Sequence, residues 1–208
     1  VTFNSITDNP PQGDERNFVQ VRDASASNET YSDSTNLIAG HQYVIFVYYH
    51  NNASSDLNAD GTGIAHNAYV KAQIPAVVTN GSTDTKAVGY VGASNASPAM
   101  VWDDISFSNN TGSDIALRYV PGSATIHSFG AVNGQTMSDN IVTTGASIGY
   151  NSLNGDLPGC NEYAGYVTLR VQADQPNFTI EKQVRIAGTT TWSDSVTAKA
   201  GDNLEYRI

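Results

Sequence analysis

Twelve residues, DLNADGTGIAHN at 56–67, place oxygen-bearing side chains at the spacing of a calcium loop. Asp56, Asn58, Asp60 and Thr62 occupy positions one, three, five and seven, and Gly61 stands at six, where such a loop turns sharply. Alternating oxygen ligands around a glycine suit a hard cation. The twelfth position is Asn67 instead of a bidentate glutamate, and no flanking helix pattern is present. The competing reading is an Asx-rich turn, with Asn and Asp side chains bonding their own backbone. Calcium is the one cofactor this pattern suggests.

Other chemistry-bearing residues give weaker patterns. Gly145-Ala146-Ser147-Ile148-Gly149 has the spacing of a nucleophile elbow, but that motif needs a helix after it and YNSLNGDLPG reads as turns. Asp103 and Asp104 are neighbours, so on a strand they point to opposite faces and do not form a glycosidase pair. His41, His50, His66 and His127 share no spacing, although His50 and His66 flank the candidate calcium loop. Cys160 is the single cysteine, so no intrachain disulfide forms, and it reads as a small buried hydrophobe. Glu162, beside it in a Gly-bounded turn, is read as a structural acid and a candidate for burial. Six Asn-x-Ser/Thr sequons mark surface loops at most. No acid, base and nucleophile converge, and the expectation is that the chain is not an enzyme.

The elements that would carry these residues are β-strands. Short runs rich in β-branched and aromatic residues alternate with Gly, Asn, Asp and Pro turns, and helical periodicity is nearly absent. Expected strands include Val1–Ile6, Phe18–Arg22, Tyr43–Tyr49, Ala68–Ile74, Thr85–Val91, Met100–Ser106, Ala116–Val120, Ala124–Phe129, Ser147–Tyr150 and Tyr163–Ala173. The fold class is all-β, a Greek-key β-sandwich. Residues 1–16 are expected as an N-terminal strand and loop, 17–174 as the sandwich, and 175–208 as a separate piece after Pro176. A formal charge of −10 argues against nucleic acid or an anionic membrane surface as partner. No apolar run reaches membrane-spanning length. No leader segment is visible, which fits a mature or cut chain.

One pattern recurs. YSDSTNLIAGHQYVIFV at 31–47 and WSDSVTAKAGDNLEYRI at 192–208 share the aromatic, the Ser-Asp-Ser, the Ala-Gly turn and the strand after it, offset by 161 residues. The second copy opens a domain that the sequence does not go on to finish, so it is expected to be truncated or completed by another molecule. Phe178, Ile180, Val184 and Ile186 share one face of its first strand, and Leu204, Tyr206 and Ile208 one face of its second. Burying all seven would contribute on the order of 10–20 kcal/mol gross, whereas an isolated hairpin is marginal in water. These seven are the candidate subunit interface, and Val1–Ile6 is a second candidate donor strand. Lys182 lies on the same strand, at the place that Val21 or Arg22 holds in the first copy, and reads as a snorkelling or salt-bridged lysine, with a crosslinking role as the alternative.

The segments NFVQVRD, YVIFVYYHNNA, GIAHNAYVKAQIP, LRYVPGSATIH and PGCNEYAGYVTLRVQAD, in that order, resemble a bacterial cell-surface repeat, the family known as domain of unknown function eleven. Gly40, Asn51 or Asn52, Ile74-Pro75 and Pro121-Gly122-Ser123-Ala124 fall where its pattern has them, over residues 17–173. The resemblance implies an immunoglobulin-like sandwich, tandem arrays, an extracellular location and a structural or adhesive role, and it brings no catalytic residues. The functional expectation is a surface filament built as a head-to-tail homopolymer by strand complementation. The alternative is an adhesin that reads a glycan or host surface through aromatics such as Trp102, Tyr163 and Tyr166, each of which also fits the sandwich core.

Overall fold

The computed structural model describes residues 1–10, 12–27, 30–176 and 180–208. The chain divides into two compact units, Val1–Gln175 and Pro176–Ile208. The first holds β1 (Val19–Asp23), β2 (Ser34–Asn36), β3 (Gln42–Tyr49), β4 (Tyr69–Gln73), β5 (Val77–Val78) and β6 (Thr85–Gly92). It continues with β7 (Met100–Ser108), β8 (Ile115–Tyr119), β9 (Thr125–Ser128), β10 (Ala146–Ser147) and β11 (Gly165–Asp174). The second holds β12 (Gln183–Ile186) and β13 (Leu204–Arg207). The protein is all-β, as the alternating patterns predict.

Two curled sheets enclose the core of the first unit in a sandwich-like arrangement. One runs β1–β3–β11–β8–β5, with β9 also pairing β11; the other runs β10–β4–β6–β7–β2. Among the described residues only β2 and β7 pair in parallel. β11 alternates cleanly: Val167, Leu169, Val171 and Ala173 are buried, and Tyr166, Thr168, Arg170 and Gln172 turn outward. β3 does not alternate. Its run YVIFVYY is buried almost throughout, with Val44 and Tyr48 covered as well as Tyr43, Ile45, Val47 and Tyr49. A strand with a near-continuous apolar run is one covered on both faces.

The sheets meet large residue against small. The first contributes Tyr43, Ile45, Val47, Val167 and Leu169; the second contributes Ala72, Ala87 and Gly89 among its inward positions. A Cβ on Gly89 would stand 2.5 Å from Val19 Cγ2, so a hydrogen is what lets β6 approach β1. Beside it the Asp103 carboxylate accepts from the Phe18 and Val19 amides at 2.7 and 2.8 Å and ties β1 to β7. Burial pushes the Asp103 carboxyl above its ordinary range, against these backbone bonds. Asp104 turns the other way and meets Lys86 at 2.9 Å, the opposite-face arrangement expected of neighbours on a strand.

The N-terminal segment departs from expectation. Val1–Ile6 is not a strand: it makes one bridge, Phe3 with Asn51, and Phe3 is buried in the core of its own unit. Asn4, at φ 45°, turns the chain, and its side chain donates to Tyr48 O and accepts from His50 N. Pairing therefore ends after one residue, and this segment is not free to be donated. Residues 1–16 belong to the sandwich unit. Trp102, weighed as a core residue, is exposed instead, because its neighbours Ile105 and Phe107 hold the inward positions of β7.

Gly89→Ala is expected to cost about 1–3 kcal/mol through overpacking against Val19, and Gly89→Ala with Val19→Ala to recover part of that loss. Denaturant unfolding of the two variants measures both effects.

Candidate functional site

The calcium-like loop is closed by its own hydrogen bonds. Asp56 sits in a short 3-10 turn, Ser55–Leu57, and its side chain is exposed. Asn58 spends its amide on Gly159, donating to the carbonyl at 2.9 Å and accepting from the N–H at 2.8 Å. Asp60 Oδ1 accepts from the Thr62 amide and hydroxyl at 2.9 and 2.6 Å, an Asx turn. Those bonds hold the Asp60 carboxyl below its ordinary range. Asn58, Asp60 and Thr62 thus fasten the loop to itself and to residue 159, while the Asp56 carboxylate faces solvent.

The histidines do not gather. His66 Nδ1 lies 2.8 Å from Asp156 Oδ1, and His41 Nδ1 lies 2.7 Å from Asp23 Oδ2. His50 is buried against Glu15, its Nδ1 2.6 Å from Oε1. Among the described residues Glu15 is the buried acid; Glu162 is exposed. Asn9 donates to Glu15 Oε1 at 2.5 Å, and Asn52 donates to Oε2 at 2.8 Å. Burial opposes the charge, but the hydrogen bonds from His50, Asn9 and Asn52 outweigh it and keep the carboxyl below the usual glutamate range. In the sequence Glu15 falls in the N-terminal loop, among Pro10, Pro11 and Gly13. The available signal was weak: an acid two residues before the Asn17-Phe18 strand start.

The second unit is the predicted interface. Val184 stands opposite Tyr206 and Ile186 opposite Leu204, so these four share a side; Gln183, Arg185, Glu205 and Arg207 share the other. The hairpin repeats the β1–β3 pair bond by bond. Val21 exchanges main-chain hydrogen bonds with Ser32 at 2.8 and 3.0 Å, and Val184 does so with Ser193 at 2.8 and 3.1 Å. Ser32 Oγ donates to Ser34 O, and Ser193 Oγ to Ser195 O, each at 2.7 Å. Ala24 N donates to Gln42 O, and Ala187 N to Asn203 O, each at 2.8 Å. Gly40 and Gly201 both turn at positive φ, +84° and +97°. The Arg22 guanidinium lies 5.4 Å over the Tyr31 ring, and that of Arg185 lies 4.4 Å over Trp192.

These matches fix the register. From Ser32 and Ser193 onward the offset is 161 residues, but in the first strand it is 163, because the loop after β1 is two residues longer than the loop after β12. A shift of two keeps every side chain on its face, where a shift of one would exchange the faces. The counterpart of Lys182 is therefore Val19, not Val21 or Arg22. Lys182 Nζ lies 5.0 Å over the Tyr206 ring, on the side that is core in the first copy.

The two copies differ in what covers them. Tyr43, Ile45 and Val47 are buried beneath the second sheet and flanked by β11 through Val171, Leu169 and Val167. Their counterparts Leu204, Tyr206 and Ile208 are exposed, Tyr206 at 57 % and Ile208 at 90 %. Val184 is 8 % exposed and Ile186 half-buried, while Ile180 is exposed. Pairing starts at Gln183, opposite Arg207, so the strand expected over 178–186 is shorter in its described part and Ile180 lies ahead of it. Phe178 lies outside the described residues.

The outward side of the first sheet carries an aromatic row. Tyr31, Phe46, Tyr166 and His127 follow one another at centroid distances of 5.2, 4.7 and 4.6 Å. Tyr166 stacks between Phe46 and His127, and Tyr163 meets Tyr150 edge-on at 4.8 Å. No family model, curated protein or solved structure matches this chain.

Because Asn58 and Asp60 are already engaged by Gly159 and Thr62, adding calcium or EDTA is expected to leave the melting temperature unchanged; a calcium-dependent rise would favour the cation reading. Glu15, with its carboxyl pKa lowered on folding, contributes stability that is complete above the ordinary glutamate pKa and is lost as pH falls through the lower folded value. Glu15→Gln is expected to be less stable than the parent near neutral pH and to lose less stability on acidification to about pH 3. Urea titrations at both pH values compare them.

Proposed function

We propose that this chain is a structural subunit of an extracellular surface filament or array, in which the β12–β13 hairpin opens a second sandwich that strands of a neighbouring copy complete. One observation carries the reading: the hairpin has the bonds, turn and aromatic contacts of β1–β3, but Leu204, Tyr206 and Ile208 on its apolar side are exposed. In the first unit that side is closed by the opposite sheet, and the free edge of β3 is taken by β11. By the same geometry, β13 offers a free edge and an apolar face to an incoming strand, the arrangement of β-strand addition. Such a contact joins different surfaces of successive copies, so it does not close on itself and grows a fibre.

The chemistry of the remainder is in keeping with this role. An acidic, polar, lysine-poor surface keeps copies soluble until the specific edge is engaged. The short terminal strand, with Lys182 over Tyr206 and Glu205 between Leu204 and Tyr206, is a guarded edge that discourages indiscriminate pairing. The Phe178, Ile180, Val184, Ile186, Leu204, Tyr206 and Ile208 set is the proposed subunit contact, and Ile180, Tyr206 and Ile208 are its most exposed described members.

Sedimentation velocity tests the reading. The parent chain is expected to associate with rising concentration, and Tyr206→Glu, which changes an exposed side chain, to remain monomeric with an unaltered melting temperature for the sandwich. A parent that stays monomeric at high concentration, or a Tyr206→Glu variant that still polymerises, overturns it.

A further inference from the structure

Arg22 and Arg170 stand on the outward side of the first sheet, one on each side of Val44. Two strand spacings separate their backbones by about 10 Å. The groove they line has a volume of about 540 Å³ and includes Tyr166, His127 and the hydroxyls of Thr125 and Thr168. Among the described residues neither guanidinium meets a carboxylate, although this is an acidic chain in which Arg16, Arg118 and Arg185 each do. The Arg22 Nε is buried with no hydrogen-bond partner among the described residues. Such an unanswered buried donor is costly unless something outside the fold answers it.

The second hairpin supplies the comparison. Arg185, the counterpart of Arg22, receives Glu205 from the strand opposite, with Nε donating to Oε2 at 2.6 Å. The residue at that place opposite Arg22 is Val44. The copies keep the arginine, and its stacking on Tyr31 or Trp192, but among the described residues only one has an anion bonded to it. The position in the first copy is therefore open to an anion from outside.

A second cleft of about 580 Å³ adjoins through the shared Tyr166 and His127. Its lining has no Lys, Arg, Asp or Glu. It presents the Phe129 ring, 88 % exposed, together with the amides of Gln12, Asn133 and Asn161. Burial lowers the His127 pKa, so the ring is neutral near pH 7. Amides both donate and accept, which is what sugar hydroxyls need. An exposed ring face covers the C–H face of a pyranose. An acidic peptide would answer the arginines but would leave this uncharged, amide-lined half unused.

We propose that the joined clefts bind a saccharide bearing a carboxylate, with the carboxylate between Arg22 and Arg170 and an adjoining neutral ring against Phe129 and Tyr166. A planar guanidinium meets a carboxylate through two parallel hydrogen bonds. The site lies wholly within Val1–Gln175 and does not depend on the hairpin reading.

Calorimetry and saturation-transfer NMR on the full chain test it, with trigalacturonate against galactotriose and sialyllactose against lactose. Hexaglutamate serves as the acidic-peptide probe. At least one acidic saccharide is expected to bind about tenfold or more tightly than its neutral partner, a difference the size of one good charged contact. Arg170→Gln, at an exposed side chain, is expected to remove that preference. Phe129→Ala is expected to weaken acidic and neutral sugars together, and Phe129→Trp to retain binding, with melting temperatures unchanged. The proposal fails if neither acidic saccharide binds at millimolar concentration, if Arg170→Gln leaves the preference intact, or if hexaglutamate binds as tightly as the saccharides.

Discussion

A hairpin with one apolar side is a half-built layer, and β3 is where this protein completes one. β3 pairs β1 on one edge and β11 on the other, and it is buried on both faces. Its inward side chains meet the small residues of β4 and β6, among which Gly89 permits contact with Val19. Its outward side chains Val44 and Tyr48 need a second cover, and the N-terminal segment contributes to it. Asn4 bonds the Tyr48 carbonyl, and Asn9 and Glu15 gather around the Tyr48 hydroxyl and His50. Covering an apolar strand with a polar segment is feasible only when that segment's buried groups are bonded, and the Glu15 network meets the condition at all but His50 Nε2.

The same constraint explains which parts of the fold the sequence made legible. Alternation over Tyr163–Ala173 and Thr85–Val91 located β11 and β6 because each has one wet side and one dry side. The unbroken YVIFVYY run marked β3 for the opposite reason. β2 and β5 went unseen: they are three and two residues long, and a period of two has no statistical content at that length. The Val1–Ile6 error has a physical cause too, since β-propensity cannot reveal that one asparagine side chain will replace the next main-chain bonds.

Side-chain chemistry was less legible than the strands. Spacing alone made 56–67 resemble a cation loop, but whether a carboxamide faces a cation or a backbone is decided by what lies across from it. For Asn58 that is Gly159, about a hundred residues away in sequence. Glu15 and His50 are likewise brought together by the path of the N-terminal segment, which no local pattern encodes. The repeat was readable because it is local: its turn glycines, Ser-Asp-Ser and aromatic recur at fixed spacing. Only its first strand was misaligned, since an extra two residues in a loop leave alternation untouched.

That locality bears on how a β12–β13 hairpin would be used. Its hydrogen bonds, positive-φ glycine and arginine–aromatic stack match those of a hairpin embedded in a full sandwich, although its own apolar side is exposed. The hairpin's own contacts, including Arg185 with Glu205 and Arg207 with the Gln183 amide, hold this shape. Both charged contacts lie on the polar side, leaving the other side to Val184, Ile186, Leu204 and Tyr206. A preformed edge lowers the ordering cost that a closing strand would meet, so more of the apolar burial appears as net association. The first copy devotes the same polar side to another end. With Val44 where the second copy has Glu205, Arg22 meets no carboxylate among the described residues, and the outward face of the sandwich carries a groove beside it.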